Sequence, residues 1–209
     1  DFTDVNNDAT RVEVNTISAE MAKVRDYVPD YAVMAHRGST FWAPEETESA
    51  WRWAREMGAD YLESDLQCTK DGVILANHDD NLKRTTNIEN VYSELVPATR
   101  KAFYMRHGMS EAEAEKLVAA DKASFRPYYA MSYMYEELLA LDAGSLFNET
   151  SIEQARESFS EQHQYISALE DQIRYAEGKM LARDADGERI YTVTGTWNPD
   201  KPRDCLTYK

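Results

Sequence analysis

Apolar and polar positions along this chain alternate between two periods. Short apolar runs that end in polar residues mark strands: 31–35 closes on His36-Arg37-Gly38, 60–66 carries Glu63 and Asp65, and 73–77 closes on His78-Asp79. A fourth strand is predicted at 189–196. Between the first two runs the period becomes helical, and Ala50, Trp53, Ala54 and Met57 form one stripe over about 46–57. Acids open the first turn of that stripe, and Gly58 stands where a left-handed residue ends a helix. Ile17, Met21, Val24 and Val28 have the spacing of a second, covering helix. A helix set between two strands predicts a right-handed crossover and a parallel pair. Asp71-Gly72 instead turns the chain directly into the next strand. The fold class is α/β.

The polar residues at the strand ends carry chemistry. Side chains at i and i+2 of a strand share a face, so Glu63 and Asp65 are expected to project together. Paired carboxylates offer the hard oxygens that Ca²⁺ or Mg²⁺ prefers. Arg37 supplies a planar fork of donors for phosphate oxygens. His36 and His78, whose ordinary pKa lies near neutrality, can exchange protons with an attacking hydroxyl and a leaving alkoxide. Taken singly, each has a plain structural reading: a hydrogen-bonded histidine, a solvated strand face, a surface ion pair. Their succession at three strand ends points to metal-assisted phosphodiester cleavage.

The motifs His36-Arg37-Gly38, Pro44-Glu45-x-Thr47, Gly58-Ala59-Asp60-x-x-Glu63-x-Asp65, Asp71-Gly72 and His78-Asp79-x-x-Leu82-x-Arg84-Thr85-Thr86 resemble the glycerophosphodiester phosphodiesterase family. The likeness is close over 32–86 and resumes more weakly at 136–144 and 166–170. It implies a TIM-type (β/α)8 barrel that hydrolyses glycerophosphodiesters to glycerol 3-phosphate and an alcohol with one divalent cation, Ca²⁺ or Mg²⁺. By the resemblance His36 and His78 are the acid and base, Arg37 contacts phosphate, and Glu63, Asp65 and Glu170 bind metal. A neighbouring glycerol hydroxyl would attack phosphorus, giving a cyclic phosphate that water opens.

The chain departs from the family pattern in places. Glu46 stands where the family usually has Asn, which adds a carboxylate beside the phosphate site, and 87–90 replaces a common glycine. Glu170 has two readings: a third metal ligand, or one end of a capping box, Ser167-Ala-Leu-Glu170, that opens the next helix. Two other functions stay open, a phosphatidylinositol- or sphingomyelin-type barrel phospholipase and a non-catalytic binding module. The Glu63 and Asp65 pair argues against a metal-free phosphatidylinositol enzyme, and retention of both histidines argues against the binding module.

Length changes the picture. A complete (β/α)8 barrel takes about 250 residues, and this chain has 209. A single domain over 1–209 is therefore expected to hold only the N-terminal portion of a barrel, with a helical and aromatic insertion over 87–135 after the third strand. In that insertion Ser110-Glu-Ala-Glu113 opens a helix whose Leu117 and Val118 are expected to pack inward. The aromatic cluster over 126–135 is either the core of a lid or the lining of a headgroup pocket.

Charge and composition narrow the partners. With 38 acidic against 23 basic residues the net charge is -15, which excludes nucleic acid and leaves a small-molecule glycerophosphodiester as the expected partner. An anionic diester then needs a local positive centre. No apolar run approaches the ~18–20 residues of a membrane span. Two cysteines are too few for a disulfide framework, and Cys68 is expected to be packed. A polar opening over 1–10 without methionine suits a spacer after an export signal or lipid anchor, and hence an extracytoplasmic enzyme.

Overall fold

A computed structural model describes residues 31–150, 163–177, 179–181 and 205–207. Contacts divide the chain into two units, Asp1–Val33 and Met34–Lys209, and the elements below belong to the second. The expected helix over 17–28 and the expected strand over 189–196 lie outside the described residues.

Strand β1 (Met34–Ala35) pairs in parallel with β2 (Tyr61–Leu62), and helix α1 (Glu48–Glu56) is the crossover between them. Thr47 caps α1: its hydroxyl accepts from Ala50 N at 3.4 Å and donates to Pro44 O at 2.6 Å. The helix stops at Met57, and Gly58 follows with φ +85°. Its buried face differs from the expected one. Ala50, Trp51 and Ala54 are buried, whereas Trp53 is only half-buried and Met57 is 65% exposed. Positions 47, 50, 51 and 54 satisfy the helical period as well as 50, 53, 54 and 57 do. The choice is made by distant partners, because Trp51 packs with Ala76 and Tyr175, and Leu62 lies against them. Glu48 is buried beside this cluster and accepts from the Tyr175 hydroxyl at 3.0 Å.

The run over 60–66 is not one strand. The chain leaves β2 at Leu62 and becomes extended again in β3 (Leu66–Cys68), which pairs antiparallel with β4 (Ile74–Ala76). The three strands therefore do not run parallel in succession. A parallel partner needs a crossover of a dozen or more residues, and the turn at Asp71-Gly72 leaves no room for one. That turn is fastened by Thr69, whose hydroxyl donates to Asp71 Oδ1 at 2.6 Å and accepts from Val73 N at 2.9 Å. The pleat sends Leu66 and Cys68 outward, so the thiol expected to be packed is exposed. A second antiparallel pair joins β5 (Lys179–Leu181) to β6 (Cys205–Thr207).

Between β4 and β5 the described elements are helical: α2 (Ile88–Val91), α3 (Arg100–Arg106), α4 (Glu111–Ser124), a 3-10 turn at Ala130–Ser132, α5 (Tyr135–Leu138), α6 (Ser145–Thr150) and α7 (Leu169–Ala176). The capping box at Ser110 is complete, with Glu113 Oε2 accepting from Ser110 N at 2.9 Å. Leu117 of α4 is nevertheless exposed and Val118 only half-buried, and the helix buries Ala114 and Asp121 instead. Residues 87–135 take part in the core. Val73 and Leu75 pack in one cluster with Leu82, Ile88, Ala130, Tyr133, Tyr135, Leu138, Leu141, Ile166 and Ala168. Tyr133 has the rings of Tyr92 and Phe125 each 5.4 Å from its own, so Tyr133 and Tyr135 belong to the core, whereas Tyr128 and Tyr129 are half-buried and Met131 is exposed. Among the described residues no helix is long and apolar enough to cross a membrane.

One buried cation ties α4 to this core. Arg100 is fully buried and donates to both Glu137 oxygens (2.9 and 2.8 Å), to Asp121 Oδ2 (2.6 Å) and to Ser132 O (2.8 Å). Asp121 also accepts from Tyr104 at 2.7 Å and pairs with Lys70 at 2.9 Å. Removing one member of such a network strands a buried charge. Arg100→Ala is expected to lower the unfolding free energy by about 3–5 kcal/mol in urea titrations; a loss below about 1 kcal/mol would mark the network as energetically idle.

Candidate active site

The site begins where β1 ends. Arg37 has φ +56° and Gly38 has φ +88°, so the chain reverses over two left-handed residues. Ala35 O accepts from both Gly38 N and Glu63 N at 3.1 Å, which joins the turn to the segment after β2. Only glycine fits at position 38. A Cβ there would stand 2.7 Å from Ala50 Cβ and 2.8 Å from the Ala50 carbonyl carbon, against the body of α1. A left-handed arginine costs about 1–3 kcal/mol and persists only where its surroundings over-determine it. Arg37 meets that condition with three acids: its N donates to Glu63 Oε2 at 3.0 Å, its Nε lies 2.9 Å from Asp65 Oδ2, and its Nη1 lies 3.4 Å from Glu45 Oε1.

Glu63 and Asp65 converge without a strand pleat to aim them. One ligand atom from each, together with one ring nitrogen of His36, lies within 4.8 Å of the others. Glu63 is held by Arg37 N and Ala35 O, and Asp65 is held by Glu46. This residue, 3% exposed and at φ +58°, accepts from Asp65 N and from the Ser64 hydroxyl, each at 2.8 Å, while its own N donates to Arg37 O at 3.0 Å. The carboxylate expected beside the phosphate site is thus turned beneath the ligand loop. Burial raises its pKa from 4.5 to about 7, and the charges of Asp65 and Glu63 add to the rise against the opposing hydrogen bonds.

The donor set fits a divalent cation. Glu63 and Asp65 offer hard oxygens, and the short Arg37–Asp65 contact is not aligned as a hydrogen bond, so Asp65 Oδ2 is buried without a directed donor. The adjacent imidazole of His36 is exposed.

The second histidine stands at the end of β4. Asn77 N donates to Asp65 O at 2.9 Å, which brings that strand end against the ligand loop. His78 Nδ1 hydrogen-bonds to Asp79 Oδ1. The Arg84 guanidinium, foremost among its neighbours, holds Asp79 down to about 2, so Asp79 is an acceptor and Nδ1 carries the proton. Nε2 takes no part in that bond. Arg84 reaches further: its Nη1 and Nη2 donate to the two oxygens of Glu45 at 3.0 and 2.7 Å. Half-burial pushes Glu45 up, but Arg84 and Arg37 outweigh it and hold its pKa below the ordinary value. Beside this pair opens a cavity of about 160 Å³, walled by Glu45, Arg84, Thr85, Leu146 and Phe147 among others.

Glu170 is not brought to this group. It lies in the first turn of α7, 3.7 Å from Arg174, and borders an apolar hollow beside Gly72, Val73 and Ile74 at the turn end of the hairpin. Nor does it cap the helix. Asp171, fully buried, accepts from Ala168 N at 2.9 Å, one residue further along than expected. Glu45, Asp79 and Arg84 lay inside the motifs that carried the resemblance, but the spacing of a motif does not say which side chains pair.

Residues 36–201 match the model of the glycerophosphoryl diester phosphodiesterase family, and the chain belongs to that family. The chain is 48% identical over 54 residues to a glycerophosphodiester phosphodiesterase of Bacillus subtilis, covering 26% of this chain and 18% of that protein. It is 37% identical over 97 residues to a glycerophosphoinositol inositolphosphodiesterase of Mus musculus, covering 46% and 17%. The solved glycerophosphodiester phosphodiesterase of Agrobacterium tumefaciens is 25% identical with a TM-score of 0.43, over 70% of this chain and 43% of that one. The chain thus spans less than a fifth of the length of either curated relative.

Glu46 gives the fold a pH signature. Its folded pKa of about 7 lies above the 4.5 of an ordinary glutamate. Below pH 4.5 both states are protonated; as pH rises from there to 7 the unfolded chain loses its proton first, and the fold loses up to about 3 kcal/mol. In EDTA, urea titrations are expected to show stability falling between pH 5 and pH 8, and Glu46→Gln is expected to flatten that fall. Equal slopes in the two proteins would contradict the assignment.

Proposed function

We propose that this chain carries the reaction centre of a metal-dependent phosphodiesterase that cleaves glycerophosphodiesters to glycerol 3-phosphate and an alcohol. The convergence of His36, Glu63 and Asp65 within 4.8 Å, beside the Arg37 guanidinium, carries this reading. On this reading β1, α1 and β2 are the first strand-helix-strand unit of a (β/α)8 barrel.

Glu63 and Asp65 hold one Ca²⁺ or Mg²⁺; Glu170, paired with Arg174 elsewhere, is left out of the ligand set. When bound, the ion polarises a phosphoryl oxygen and offsets the charge of the carboxylates around it. Arg37 orients the phosphate through its planar fork. His36 and His78 move the protons: one takes the proton of the attacking glycerol hydroxyl, the other delivers one to the departing alkoxide, and water then opens the resulting cyclic phosphate to glycerol 3-phosphate. The Asp79 bond fixes the ring of His78 with Nε2 as its working nitrogen. In a chain of net charge -15 the two arginines and the cation are the local positive centre that an anionic diester needs.

The test is a coupled assay for glycerol 3-phosphate released from glycerophosphocholine and glycerophosphoinositol. Activity is expected to vanish in EDTA and to return with Ca²⁺ or Mg²⁺; hydrolysis indifferent to EDTA would reject the metal role. His36→Ala and His78→Ala are each expected to lower kcat by about 10²–10⁴ at unchanged melting temperature. Wild-type turnover in either variant would remove that histidine from the proton chemistry.

A further inference from the structure

We infer that Arg84 is a positioning residue of this site, clamping Asp79 and Glu45 at once and so setting where the His78 imidazole and the Arg37 guanidinium stand. The inference rests on the phosphodiesterase reading. Its ground is the use made of one rigid plane. Arg84 Nε donates to Asp79 Oδ2 at 2.6 Å and Nη2 to Oδ1 at 3.2 Å, while Nη1 and Nη2 donate to the Glu45 oxygens at 3.0 and 2.7 Å. Both edges of the guanidinium are therefore engaged by a carboxylate, and each carboxylate is one contact from a site residue: Asp79 from His78 Nδ1, Glu45 from Arg37 Nη1.

The clamp joins the loop after β1 to the turn after β4, across 39 residues of sequence. It closes an unbroken series of polar contacts from His78 through Asp79, Arg84, Glu45 and Arg37 to Asp65. Arg84 is 44% exposed, and ion pairs so open to water contribute little to folding stability. What the pairs supply is geometry. A lysine keeps the charge but presents a single point of donors, so it cannot hold two carboxylates by their edges.

Arg84 also lines the cavity beside the site, so direct contact with substrate is the rival role. Kinetics separate the two. Arg84→Lys is expected to lower kcat by about 10- to 100-fold, with KM within about threefold and an unchanged melting temperature, because small displacements of catalytic groups are costly. Arg84→Gln combined with Asp79→Asn is expected to lose less than the product of the single losses, since both changes release the same imidazole. The ¹⁵N shifts of His78 are expected to report one Nδ1–H tautomer in the wild type and a mixture in Arg84→Lys. This last readout needs no turnover, so an inactive wild type would sink the phosphodiesterase reading while the clamp stays testable. Wild-type kcat in Arg84→Lys, a rise in KM alone, multiplicative losses or an unchanged tautomer would each overturn the clamp.

Discussion

A single buried carboxylate holds the site together. Glu46 lies under the segment from Glu63 to Asp65 and accepts from Asp65 N and the Ser64 hydroxyl, while its own N is tied to Arg37 O. Two chain segments that approach from different strands are thereby joined at one residue. The same bonds explain why left-handed backbone is tolerated at both Arg37 and Glu46. Each residue is held from several directions, so relaxing one would break contacts of the other. The cost of the arrangement is electrostatic: Glu46 is desolvated and shares its surroundings with the charges of Asp65 and Glu63.

Burial decides which of the many ion pairs matter to the fold. Lys101 reaches Glu111 and Glu115, and Lys83 reaches Glu89, all on open surface where water screens such pairs and they contribute little. Arg100 has no exposed surface and four hydrogen bonds. It fastens α4 through Asp121 and α5 through Glu137, and those helices frame the aromatic cluster around Tyr133. Ile88, Ala130, Tyr133, Tyr135 and Leu138 thus share one core with Val73 and Leu75 of the hairpin.

Much of the site was legible in the sequence, though partly for a different reason than strand geometry. His36, Arg37, Glu63 and Asp65 do meet, but the pleat that was to align the two acids is interrupted, and bonds from Asp65 N to the Glu46 carboxylate and from Arg37 N to Glu63 replace it. The hairpin was legible in Asp71-Gly72, because a direct turn and parallel pairing exclude each other. Trp51 and Trp53 were not distinguishable locally. The period admits either, and the deciding partner, Tyr175, lies far along the chain. Leu117 and Val118 misled because a capping box defines where a helix starts and says nothing of which side it buries. Glu170 sits next to the acid that caps its helix, and a spacing argument cannot resolve neighbours.

The contact between Gly38 and Ala50 has a mechanical consequence. With no side chain between them, the reversal that carries Arg37 rests directly on α1, and Ser39 N is bonded to Ala50 O at 2.9 Å. Helix and reversal are coupled as one stiff body, so a shift of either is transmitted to the other. Bulk added at either position would therefore be felt at once in the backbone of Arg37, because neither partner has room to yield alone.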